Sequence, residues 1–163
     1  ARTVFSVLEG ERFLKDDRLT DGIYAPGDVF CFEVDGRKVY KMNIRAECDC
    51  LHDRDPELYL LKMRMIDDAE GLIDRNSGKF PGEKDPEAYI HAMFDATTFA
   101  VQFKELRIKK VTAIKKEGGV RVGRLLPPFL TRVQQRYAGY FQRPGLPRIP
   151  ATILPVPEAD KAA

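Results

Sequence analysis

VFCFEVDGRKVYKMNIR, residues 29–45, is the stretch on which the fold turns. Two runs rich in β-branched and aromatic residues flank Asp35-Gly36, a pair suited to the positive backbone angles of a tight hairpin turn, so the segment reads as two antiparallel strands. The register follows from which residues share a face. A two-residue turn aligns Phe30, Phe32 and Val34 with Arg37, Val39 and Lys41, which mixes apolar and charged side chains. Adding Arg37 to the turn as a bulge aligns them instead with Tyr40, Met42 and Ile44. The bulged register makes one wholly apolar face and is the expected one. It also leaves Cys31 on the polar face, near Lys41.

Outward from the hairpin, Tyr24-Ala25-Pro26-Gly27-Asp28 reads as the turn that leads into it, and residues 1–21 as an irregular or briefly helical acidic lead-in. Residues 47–57, ECDCLHDRDPE, form a polar corner before a strand at residues 58–65. The acidic segment 67–86 carries Gly71, Gly78 and Gly82 and reads as a long exposed loop. Strands are expected at residues 89–94, 97–103 and 106–111, a helical turn at 112–117 and a short strand at 120–125. GRLLPPFLTRVQQRYAGYFQRPGLPRIP, residues 123–150, holds one helix, with Pro127 and Pro128 at its start and Pro144-Gly145 at its end. Leu130, Val133, Tyr137 and Tyr140 or Phe141 recur at helical spacing and make an apolar stripe able to seal a sheet. Arg132, Arg136 and Arg143 project from a second face.

The chain has 163 residues, 44% hydrophobic and 32% charged, which suits a single soluble domain with a sizeable core. That domain is placed at residues 1–150, followed by a proline-rich flexible tail, 151–163. No window has the 18 or more consecutive apolar residues of a membrane-spanning helix. Three cysteines are too few and odd in number for a disulfide framework, and no secretory leader pattern opens the chain, so the expected compartment is the cytoplasm.

Charge is uneven. Residues 1–103 carry 14 Lys/Arg and 21 Asp/Glu, net −7, whereas residues 104–148 carry 12 Lys/Arg and two acids, net +10. Lys104, Arg107, Lys109 and Lys110 on a strand, Arg121 and Arg124 after it, and Arg132 and Arg136 on the helix can make a cationic surface for single-stranded RNA or for a protein partner. Tyr137 and Tyr140 would supply stacking faces to that surface.

Catalytic chemistry finds little support. Only two histidines are present, Ser6 and Ser77 sit in irregular or loop contexts, and no Walker A, dinucleotide or HExxH pattern occurs. No catalytic residue and no cofactor is assigned. Cys48, Cys50 and His52 alternate, and in an extended segment they would share a face that could bind zinc. Cys31, the natural fourth ligand, lies too far along the hairpin. The expectation is therefore a buried structural Cys48 and no metal, with Asp49 or Asp53 capping backbone donors in the turn.

Short strands with turn signals and one closing helix predict a mostly β fold, an SH3-like antiparallel barrel with a C-terminal α-helix. The order GDVF, hairpin, basic KELRIKKV strand, VRVGRLLPP and terminal helix resembles the PemK/MazF-type toxins of bacterial toxin-antitoxin modules. The resemblance implies a barrel that dimerises, cleaves RNA without a metal and is silenced by a partner peptide. The family's Arg-Pro pair is Arg37-Lys38 here, and ELYLLKMRMI, residues 57–66, lacks the family's Ser or Thr. The expected function is thus a degenerate, non-cleaving relative that binds RNA or a partner through its basic C-terminal surface. The ECDC turn and the LPP-helix-RPGLP ending also resemble uncharacterised bacterial proteins of signalling or phage-defence operons, which implies a regulatory interaction module as the alternative.

Overall fold

The computed structural model describes residues 10–66, the backbone of 88–92, and 97–143. Its strands are β1 (Phe13–Lys15), β2 (Asp28–Val34), β3 (Arg37–Asn43), β4 (Glu57–Ile66), β5 (Ala88–Ala92), β6 (Thr98–Lys110) and β7 (Val120–Leu125). Its helices are α1 (Glu47–Leu51), α2 (Val111–Lys116) and α3 (Phe129–Gln142). The strands make one antiparallel sheet in the order β1-β7-β2-β3-β4-β6-β5. The described pairings leave β1 and β5 as edges, so the sheet is open, and the protein is mostly β with a C-terminal helix.

The hairpin takes the tighter of the two registers. Val34 pairs with Arg37, Phe32 with Val39 and Phe30 with Lys41, across a turn in which Asp35 and Gly36 have φ of 50° and 72°. The expected bulge at Arg37 is absent because the sheet buries both faces, so neither face has to collect all the apolar residues. Val29, Tyr40, Met42, Leu61, Met63, Phe99, Val101 and Phe103 point to one face, where α3 seals them with Leu130 and Val133. Phe30, Phe32, Leu58 and Leu60 point to the other, under Tyr24, Cys50, Val111 and Ile114. Lys41 fits beside Phe32 by placing its ammonium 5.1 Å from the ring centre. Cys31 pairs with Tyr40 rather than Lys41, and is half-buried against the α3-side core.

Register shifts mark two bends, one of them in the β2–β7 pairing between Val29 and Phe30. Between Leu61 and Met63, β4 advances two residues while β6 moves from Leu106 to Val101. Beyond Met63, β4 pairs with β6 alone, so β3 and β4 diverge there. The expected strands at 97–103 and 106–111 are one continuous β6, and a strand at residues 13–15, not anticipated, pairs with β7. The loop expected over residues 67–86 and the tail at 151–163 lie outside the described residues.

Helix α3 docks as its stripe predicts. Tyr137 and Tyr140 lie 5.9 and 5.7 Å from Phe103, ring centre to ring centre, while Phe141 is 76% exposed. Gln134 Nε2 donates to the Ile44 carbonyl at 3.1 Å and ties the helix to the end of β3.

Candidate nucleic-acid interface

Strand alternation decides which cations share a surface. On β3, Lys41 faces away from α3; its partner across β4 is Lys62. Arg107 and Lys109 stand opposite Leu60 and Leu58, residues of that same face, so they too lie away from α3. Like charges set directly opposite on neighbouring strands oppose sheet formation. Here they meet where α1 and α2 leave the sheet open. Burial, reinforced by Lys109, Arg107 and Lys62, pulls the Lys41 ammonium below the ordinary lysine value, with Glu117 acting the other way. Lys109 is held by Glu117.

A shallow groove of about 220 Å³ lies among them, with Val34, Val39 and Leu60 as its apolar lining and Lys41, Lys62, Arg107 and Glu105 as its polar groups. A second hollow of about 320 Å³ occupies the fork between β3 and β4, where Lys38, Lys62 and Arg64 converge. Val39 and Lys62 line both, so the two form one cationic trough.

The ten residues singled out in the sequence do not gather on one surface. Arg107 lines the trough, whereas Lys109 shares its face but is held by Glu117 and lines neither hollow. Lys104 falls in the irregular stretch of β6, and Lys110 stands opposite Glu57. Arg132 and Arg136 ride on α3 across the sheet, the first exposed and the second half-buried, and Tyr137 and Tyr140 turn their rings toward Phe103. Burial raises the Tyr137 hydroxyl above the usual tyrosine value, with Tyr140 adding to it. Arg121 and Arg124 are structural. Arg121 is 9% exposed and donates to Asp16 at 2.5 Å, to the Ile23 carbonyl at 2.6 Å and to the Thr20 carbonyl at 3.1 Å. Arg124 donates to both carboxylate oxygens of the fully buried Asp28, at 2.6 and 3.2 Å. Burial nonetheless holds Asp28 above the ordinary carboxylate value, against the lowering effect of Arg124, the Ala25 amide and Arg121.

Lys41, Lys62 and Arg64 went unselected in the sequence because they lie in the acidic N-terminal portion. The signal that could have found them is the alternation of Lys62 and Arg64 with apolar residues on β4, read with the tight-turn register.

The Cys-Asp-Cys turn is helical, not extended. In a helix residues two apart point about 200° from one another, so the alternation does not gather Cys48, Cys50 and His52. Cys48 is exposed and Cys50 is buried, the reverse of the expectation for Cys48. Burial raises the Cys50 thiol, partly offset by Asn43. The cap in this corner comes from Asp55, which accepts from the Thr112 amide at 2.9 Å and the Thr112 hydroxyl at 2.7 Å at the start of α2. Asp49 lies 3.7 Å from Arg45.

Those hydrogen bonds, led by the Thr112 hydroxyl, hold the Asp55 carboxyl below its usual 3.8. An acid depressed on folding contributes stability that is present above its unfolded value and lost as pH falls through its folded value. Asp55→Asn should therefore lower the melting temperature at pH 7, and the gap to wild type should close as pH drops below 3.8. Thermal melts at neutral pH and near pH 3 check this; an equal gap at both would remove the carboxylate from the account.

No family model, curated protein or solved structure matches this chain, so the functional reading rests on the geometry.

Proposed function

We propose that the chain is an RNA-binding module that docks the phosphate backbone along the trough on the sheet face away from α3. One observation carries the reading: Lys41, Lys62 and Arg107 collect on the open part of one face, two of them directly opposite each other. A phosphate set between Lys41 and Lys62 would relieve their repulsion, and the free protein has already met its cost. Arg64 extends the track into the fork, whose far rim is Lys38, a residue that alternates onto the α3 side. The bends in β4 and β6 and the closing helix support an SH3-like curvature of the PemK type, in a relative that keeps the binding face and lacks the hydroxyl used for cleavage. The basic C-terminal surface expected from the sequence contributes Arg107 to this reading.

Anisotropy titrations of a labelled RNA at several salt concentrations test it. Lys41→Ala with Lys62→Ala should weaken binding about tenfold or more and flatten the slope of log K against log salt by about 0.7 for each phosphate that the variant no longer neutralises. Arg132→Ala with Arg136→Ala, on the opposite side of the sheet, should change neither by much. An unaltered slope in the lysine pair would overturn the proposal. A protein-docking role for the end of α3 is the second reading, favoured by the exposed Phe141. It predicts that RNA affinity is weak and insensitive to salt.

A further inference from the structure

We propose that the groove between β3, β4 and β6 seats one unpaired nucleobase, and that Glu105 selects bases carrying an exocyclic amino group. This rests on the RNA-binding reading and adds to it which form of RNA, and which base, the face prefers. A track that read only phosphate would need cations on a flat surface. This site instead has a depression of about 220 Å³ with Val34, Val39 and Leu60 as apolar lining. It lies below the roughly 300–1,000 Å³ of a drug-sized pocket and suits a single flat ring system. A base can enter only where it is not paired, which makes the ligand single-stranded.

The polar groups around the depression divide the nucleotide between them. Lys41 and Lys62 face each other across β3 and β4 and take the phosphate. Arg107 stands on the neighbouring strand opposite Leu60, and its planar guanidinium can lie along the face of the base, a contact recurrent in single-strand recognition. Glu105 is the one acid lining the groove, and among the described residues no cation forms an ion pair with it although Lys41, Lys62 and Arg107 share the lining. An ionised carboxylate accepts hydrogen bonds and cannot donate them. Beside a phosphate-binding site it weakens binding in general, so its place there has a use if it accepts from an amino group, such as cytosine N4. Uracil presents a carbonyl oxygen at the matching position, which a carboxylate repels.

Competition between equal-length oligo(C) and oligo(U), with a double-stranded RNA as third ligand, tests the inference. Wild type should prefer oligo(C) by about tenfold, a factor in keeping with one discriminating base contact, and should bind the duplex more weakly than either. Glu105→Gln keeps the shape but can donate as well as accept, so the preference should fall to near unity while the salt slope stays as in wild type. Equal wild-type affinity for oligo(C) and oligo(U), or duplex binding as tight as oligo(C), overturns the base seat even if both titrations remain salt-dependent. Absence of salt-dependent binding to every RNA overturns instead the reading beneath it.

Discussion

Asn43→Ala is expected to lose about 3–5 kcal/mol of folding stability, a large share of the roughly 5–15 kcal/mol of a typical domain. Asn43 is fully buried at the end of β3 and serves three segments at once. Its Oδ1 accepts from the Arg45 amide at 3.1 Å and from the Tyr59 amide at 3.0 Å, while its Nδ2 donates to the Ala25 carbonyl at 3.0 Å and reaches the Cys50 sulfur at 3.5 Å. Removing it leaves the Arg45 and Tyr59 amides without this acceptor, each worth about 1–3 kcal/mol when left unpaired, and leaves the buried Ala25 carbonyl with only the longer bond from the Asp28 amide at 3.3 Å. Asn43→Leu separates the contributions, because it restores volume without restoring a single hydrogen bond. Urea unfolding should find both variants about equally weakened; if leucine recovers most of the loss, packing rather than hydrogen bonding explains the site.

Asp28→Ala should cost a comparable amount, about 3–5 kcal/mol, because it leaves the half-buried Arg124 and the buried Arg121 without their shared carboxylate. Asp28 has no exposed surface; Arg124 holds both its oxygens, Arg121 Nη1 lies 3.7 Å away, and the Ala25 amide donates to it at 2.8 Å. The cluster joins the entry to β2 with β7, and through Asp16 it reaches the turn after β1. Breaking one partner of such a group is worse than removing the pair. Asp28→Ala combined with Arg124→Leu should therefore unfold at a higher urea concentration than Asp28→Ala alone. Equal midpoints would mean that the arginine is solvated well enough to stand unpaired.

The sequence carried much of the element list. The strand at 120–125 coincides with β7, residues 58–65 fall within β4, residues 112–117 overlap α2, and the stripe through Leu130, Val133 and Tyr137 is the buried side of α3. These signals are local: alternation within a strand, helical spacing and proline punctuation are all visible in one stretch of chain. The candidate site was less legible. Arg121 and Arg124 read as surface cations because nothing in their own segment shows that Asp16 and Asp28, about a hundred positions earlier, would fold against them. Arg107 and Lys109 were found, but Lys41 and Lys62, which give the trough its opposed charges, lie in the acidic N-terminal portion, where net charge masks them.

A mostly β chain, the turn at Asp35-Gly36 and the amphipathic closing helix were legible locally, since each depends on backbone preferences and spacing within a few residues. The hairpin register was settled by long-range packing, because a one-residue slip in pairing depends on what covers each face. Once α3 seals one face and Tyr24, Cys50, Val111 and Ile114 cover part of the other, Phe30 and Phe32 can be buried opposite Lys41 and Val39. The same covering stops short of Lys41 and Lys62, and that uncovered remainder is what gathers charge from three strands into one trough.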